Sequence, residues 1–270
     1  MLVLVVFIYG GELNMKHVVI TGSTRGIGFG LAVEFLRAGC KVTINGRSQE
    51  SVDQAINRLM DNCSGAVQGF AADVEKREEL EKLWIDAERQ FGKVDIWINN
   101  AGIDQGRDFF LELQEEQYEQ VIRTNLLGTF HGSHVAFNHM LKHGDGQIFN
   151  MEGFGSNGMM REKLTIYGTS KSAISYFTRS LAIEAKNTNI KVGTISPGMV
   201  ATDLIRRSLD ENNKKIFNIL GDKVEPVAQF LTAKILSNQV NDAKIQWLTK
   251  PKIIWRFVSS RFNKRDIFDD

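Results

Sequence analysis

Apolar residues run through this chain in two alternating rhythms. Short, mainly apolar runs recur at His17–Thr21, Lys41–Asn45, Val67–Ala71, Val94–Ile98, Gln147–Met151 and Ile190–Ser196. Such runs suit strands buried on both faces. Between them the apolar positions return every three or four residues. Ile27, Leu31 and Phe35 do so first, then Val52, Ala55, Ile56, Leu59 and Met60 within Ser48–Met60, then Leu80, Leu83, Trp84, Ala87 and Phe91. That spacing puts each set on one face of a helix. Gly39 stands where a C-cap would end the first of these helices, and Thr165–Lys186 reads as a longer one. Strands alternating with helices predict an α/β domain on a parallel sheet.

Neither end continues this rhythm. Leu2–Tyr9 is apolar, but a span needs about 20 residues, and the basic leader and small-residue cleavage site of a signal peptide are missing. Met15 directly precedes the first strand, so residues 1–14 read as an extension without fixed structure, with a weak membrane or partner anchor as the alternative. Residues 15–250 read as one domain, because no Gly/Ser-rich linker or repeat divides them. Residues 251–270 form a basic amphipathic tail. There Ile254, Phe257, Val258 and Phe262 share a helical stripe flanked by Lys250, Lys252, Arg256, Arg261, Lys264 and Arg265. A helix packed on the domain is the plain expectation, and peripheral membrane or partner contact is the alternative. The net charge of +1 gives no field for nucleic acid. Two cysteines, Cys40 and Cys63, make no disulfide framework and fit a reducing cytoplasm.

The first strand runs into Thr21-Gly22-Ser23-Thr24-Arg25-Gly26-Ile27-Gly28 and then a helix. Strand, glycine-rich turn and helix in that order form a dinucleotide site, with the pyrophosphate on the helix N-terminus. A free ribose 2′-hydroxyl usually meets an acid at the end of the second strand. Here the chain reads Asn45-Gly46-Arg47, and Arg25 lies in the glycine turn. Two guanidiniums there suit a 2′-phosphate, so NADP(H) is the expected cofactor, with two solvated loop arginines as the alternative. Asp73 and Val74 end the third strand within reach of an adenine. Asn99, Ala101 and Gly102 end the fourth in a small, polar crevice segment or an ordinary turn.

Asn125 falls inside a long helix, where asparagine needs a reason. It either kinks the helix and holds a relay water or lies at the surface. His131, His134, His139 and His143 share that helix, but they spread around it with no acid or cysteine among them, so no metal site is expected. Tyr167 and Lys171 stand one turn apart on the next helix. An ammonium near a phenol favours the phenolate, which tunes the tyrosine for proton transfer to an alkoxide or from an alcohol.

The glycine turn, Asn99-Asn100-Ala101-Gly102, Asn125, Tyr167/Lys171 and Pro197-Gly198-Met199-Val200-Ala201-Thr202 occur in the order that resembles the short-chain dehydrogenase/reductase family. The resemblance runs from about His17 to Thr202. It implies a Rossmann-like, doubly wound, seven-stranded parallel sheet in a single NADP-binding catalytic domain. It implies Tyr167 as acid/base, Lys171 as the residue that lowers its pKa and holds the ribose, and Asn125 as the residue that positions the relay water. It also implies that Pro197, Gly198 and Thr202 meet the cofactor. A homo-oligomer is compatible with the family, although the glycine-rich ending that many members use in tetramer contacts is absent.

One family position differs. The carbonyl-polarising serine should stand three residues after Asn150, where this chain has Gly153; Ser156 follows three residues later. Phe149-Asn150-Met151-Glu152-Gly153-Phe154-Gly155-Ser156, with Ser196–Leu204 and Gln246-Trp247-Leu248-Thr249, is similar to the chlorophyll b reductase branch. That branch reduces a ring formyl group to hydroxymethyl with NADPH. Ser156 is the expected second donor to the carbonyl oxygen, and a serine that only ties its own turn is the alternative. Ile103–Leu113, Phe154–Leu164 and Leu204–Asp222 would select the substrate. Their Phe109, Phe110, Phe154, Met159 and Met160 either line a wide apolar pocket or close the core. Two function classes follow: a carbonyl reductase for a bulky apolar aldehyde or ketone, and a non-catalytic NADP(H)-binding redox-sensing or interaction protein.

Overall fold

In a computed structural model, residues 15–202, 211–260 and 265–267 are described. Residues 1–14 of the expected extension, 203–210 of the third substrate loop, and Arg261, Phe262 and Lys264 of the tail lie outside them. Seven strands form one parallel sheet in the order β3-β2-β1-β4-β5-β6-β7. They are β1 His17–Ile20, β2 Lys41–Gly46, β3 Val67–Ala71, β4 Ile96–Asn99, β5 Gly146–Met151, β6 Ile190–Ser196 and β7 Ala243–Gln246. The helices are α1 Gly26–Arg37, α2 Gln49–Asn62, α3 Arg77–Phe91, α4 Glu115–Val121, α5 Gly128–His143, α6 Thr165–Glu184, α7 Glu211–Leu220, α8 Val224–Leu236 and α9 Lys250–Ser259. This is the Rossmann-like, doubly wound, seven-stranded fold that the family resemblance implies.

Side chains along each strand point alternately to the two faces of the sheet. Val18, Ile20, Ile96 and Ile98 pack with Leu31 and Phe35 of α1, Leu59 of α2 and Leu231 of α8. Val19 and Trp97 face the other way, onto Leu80 and Trp84 of α3 and Val135 and Met140 of α5. Both faces are covered, which is why the strands are apolar at consecutive positions. The strand order reverses between β1 and β4, and the crevice at their carboxyl ends is the topological switch point. Several boundaries differ by a residue or two from the sequence reading. The strand predicted from Val94 pairs only from Ile96, and the helix predicted to Lys186 ends at Glu184 in a 3₁₀ turn.

The tail is a helix, but its buried face is not the expected one. Ile254 and Trp255 are each 66% exposed, and Phe257 and Val258 are exposed too, whereas Arg256 is buried. The reason is a polar hub. Arg256 Nη2 lies 2.7 and 2.8 Å from the two carboxylate oxygens of Asp222. Arg265 and the Trp247 indole also donate to Asp222. The Asp222 backbone is fixed by Met199 and Ala201, in the turn after β6. A buried carboxylate left without donors would be costly, so Arg256 turns inward and the apolar stripe turns out.

Candidate active site

The glycine turn is held by side chains that the motif does not contain. Asn45 Oδ1 accepts the Gly22 N–H, and its amide donates to carbonyls of Gly46, Phe70 and Ala72. Asn100 donates to the carbonyls of Thr21 and Gly22. Gly22 has φ +59°, and a Cβ there would lie 2.7 Å from Ala101 Cα, so only glycine fits. Ser23 was expected at the cofactor, yet its hydroxyl donates to Ile20 O and accepts the Asn45 N–H. It ties the turn to β1 and β2. Thr24 remains beside the turn, where Arg58 of α2 donates to its carbonyl at 2.5 Å and stacks over Phe29.

No side chain caps α1, whose first turn holds Gly26, Ile27 and Gly28. Its N–H groups therefore remain available to an anion. Arg25 and Arg47 are both exposed at this end of the crevice. No acid ends β2. These residues fit a dinucleotide carrying a 2′-phosphate. Thr202 faces Gly26: its methyl would lie 3.5 Å from a Cβ there. Pro197 is buried and Gly198 takes φ +71° in the same turn. Ala101 donates its N–H to Thr21, and Gly102 lies beside Lys171. Asp73 accepts the Glu75 N–H in a local turn, and the buried Val74 bonds His131 through its carbonyl. Asn99 does not face the crevice. It joins Trp97, Ser133 and Asn150 in a buried polar network.

Tyr167 and Lys171 lie on the first two turns of α6. Gln105, buried in the loop after β4, accepts the N–H groups of Ile166 and Tyr167, each at 2.8 Å, and so caps that helix. Nothing local in the sequence marks this contact, which spans 62 residues. Asn125 is fully buried inside a π-helical turn, Ile122–Leu127, that joins α4 to α5. Its amide takes both polar groups of the Ile103 backbone and Ser170 Oγ. Asn125 marks an irregular, π-helical turn, and it does not lie at the surface. The side chain itself is committed to the loop after β4.

The electrostatics differ from the simple expectation. Burial pushes the Tyr167 phenol above its ordinary value, the Asp104 carboxylate adds to this, and Arg107 opposes it. Burial lowers Lys171 to about 8, against the opposing pull of Glu152. Lys171 Nζ donates to Met151 O at 3.1 Å and lies 5.8 Å from the Tyr167 ring centre. Tyr167 itself is half-buried, with its hydroxyl toward Gly153.

Ser156 accepts the Gly153 N–H and donates its proton to Lys171 O, both at 3.1 Å. In this arrangement it ties the loop after β5 to α6, as the alternative reading has it. Gly153 is equally constrained: a Cβ there would lie 2.4 Å from the Tyr167 hydroxyl. A serine at this position would require the Tyr167 side chain to shift.

The histidines of α5 go separate ways, His131 to Val74, His139 to Glu81 and His143 to Glu88. Among the described residues no metal-ligand cluster is found.

The short chain dehydrogenase profile matches residues 16–213, and the chain belongs to that family of nicotinamide-dependent oxidoreductases. Among its relatives, the probable chloroplastic chlorophyll(ide) b reductase of Arabidopsis thaliana is 38% identical over 272 residues. That match covers 94% of this chain and 55% of the relative, so the chain spans about half that protein's length. A second chloroplastic chlorophyll(ide) b reductase of Arabidopsis thaliana is 35% identical, covering 90% of this chain and 73% of the relative. Levodione reductase has the same fold, with a TM-score of 0.79 at 24% identity over 88% of this chain and 97% of that one.

The crowding at Gly153 gives a test. Gly153→Ser, which restores the family residue, should displace the Tyr167 hydroxyl and lower kcat by about tenfold or more, with little change in Tm. Steady-state rates and a thermal melt check this; a gain in kcat would contradict it.

Proposed function

We propose that this chain is an NADPH-dependent carbonyl reductase acting on a bulky, apolar aldehyde or ketone, with a chlorophyll(ide)-type ring formyl group as the leading candidate. The observation that carries the reading is the pairing of Tyr167 with Lys171, one turn apart on α6 at the carboxyl end of the crevice, with the Lys171 ammonium 5.8 Å from the Tyr167 ring centre. When bound, the nicotinamide supplies hydride to the carbonyl carbon. Tyr167 gives its proton to the oxygen, and an alcohol results. Lys171 meets the ribose and restores the tyrosine's proton. Gly22, Thr24, Gly26, Ile27 and Gly28 admit the pyrophosphate, and Arg25 and Arg47 meet the 2′-phosphate, with Arg58 beside them.

The mouth of the site supports a large apolar substrate. Phe109, Phe110, Met159 and Met160 do not close the core; all four are exposed, along with Leu111. Lys163 lies over the Phe109 ring and links the two loops. Exposed apolar patches of this kind mark ligand or partner surfaces. The commitment of Ser156 to backbone groups is the one feature that favours a non-catalytic NADP(H)-binding protein. In the reductase reading a backbone N–H or a water takes the place of the serine donor.

A panel of carbonyl compounds including chlorophyllide b, scored by oxidation of NADPH and of NADH, tests this. Turnover should favour bulky apolar carbonyls and NADPH, and Arg25→Ala with Arg47→Ala should remove the cofactor preference. Absence of turnover with every compound, or equal use of both cofactors by the unaltered protein, would overturn the corresponding part.

The outward stripe of α9 supports peripheral membrane contact, consistent with a lipophilic substrate. Among the described residues no helix is long and apolar enough to cross a membrane. Exposed Lys214, Lys215 and Lys250 are carried by α7 and α9, which pack together. Flotation should show salt-sensitive binding to anionic vesicles that Trp255→Glu abolishes. No binding to such vesicles would leave the stripe to a protein partner or a second copy.

A further inference from the structure

Glu152 has no part in the mechanism above, yet it is only 4% exposed. It ends β5 immediately before Gly153, and its backbone N–H is fixed on Ile195 O. Its carboxylate accepts a hydrogen bond of 2.9 Å from Ser175 Oγ. Ser175 stands one helical turn beyond Lys171 on α6, so both side chains lie on the same face. A Cβ on Gly153 would come within 3.1 and 3.2 Å of Lys171 Cγ and Cε, so this strand end lies against the lysine side chain. A buried acid and a buried lysine therefore share one small region.

A buried carboxylate is out of place in a site that must stabilise negative charge on a carbonyl oxygen. A buried ammonium is equally costly without a counter-charge. Among the described residues no salt bridge to Lys171 is found; its ammonium donates to the Met151 carbonyl. Of the titratable groups around it, Tyr167 is on its own helix, and Asp104 and Arg107, in the loop after β4, act on Tyr167. Glu152 is the charged group that acts on Lys171.

We propose that Glu152 is a positioning residue: its carboxylate, held by Ser175 one turn beyond Lys171, is the counter-charge that keeps Lys171 an ammonium inside the site. The inference rests on the reductase reading for its purpose, but the charge pairing can be tested without turnover. It also gives a physical reason for the acid at the position before Gly153.

The test is a titration of full-length protein carrying ¹³Cε-labelled lysine. The Lys171 signal is assigned by its absence in Lys171→Met. Wild-type Lys171 should titrate at about 8, as an ammonium below and an amine above. Glu152→Gln keeps an acceptor for Ser175 but removes the charge, so the midpoint should fall by about one unit. Ser175→Ala removes the hydrogen bond and leaves the charge, so its midpoint should stay close to wild type. An unchanged midpoint in Glu152→Gln, or an equal fall in Ser175→Ala, would overturn the proposal. Turnover by the same variants is scored separately, so failure of the reductase reading and failure of the pairing remain distinct results.

Discussion

The site is organised around a cation that water does not reach. Lys171 is buried where α6 crosses the end of β5, and the groups around it follow from that burial. Its ammonium donates to the Met151 carbonyl. Its own carbonyl is taken by Ser156, which also holds the Gly153 N–H. The start of α6 is fixed by Gln105, and the far side of the site by Asn125. A charge in such a place must be held from several directions at once, because displacement toward the core costs solvation that no single contact returns. Tyr167 then needs little beyond its place one turn earlier on the same helix.

The parts of the fold that were legible in the sequence are those where the signal is local. Strands buried on both faces leave consecutive apolar positions, and β3 and β6 begin and end where that pattern does. The glycine turn is legible for the same reason: Gly22 has a backbone conformation and a neighbour at Ala101 that no other residue tolerates. Contacts far apart in the chain left no such mark. Asn45, Asn100 and Gln105 look like ordinary turn residues until the sheet brings their partners beside them. Asn99 was misread for the opposite reason, since a polar residue at a strand end suits a crevice as well as it suits a buried network.

The tail and the displaced serine show how a long-range polar group overrides a pattern. The helical stripe of Ile254, Phe257 and Val258 correctly marks a helix, but periodicity does not say which face is buried. Asp222 decides it, because a sequestered carboxylate draws Arg256 inward more strongly than a few apolar side chains resist. The hub also joins α9 to the turn after β6 that carries Pro197 and Thr202, so the outward stripe and the edge of the cofactor crevice belong to one packed unit. At Gly153 the constraint is volume: the Tyr167 hydroxyl occupies the space a serine would need.

Exchange of Tyr167 for phenylalanine tests the central claim most directly, because it removes one hydroxyl and leaves the ring. NADPH consumption with the best carbonyl of a panel, and NADPH affinity by calorimetry, are measured on the same preparation. If Tyr167 is the proton donor, turnover falls by about 10²–10⁴-fold while NADPH affinity changes little. If Tyr167→Phe keeps most of its turnover, the proton comes from elsewhere and the account of this site is wrong.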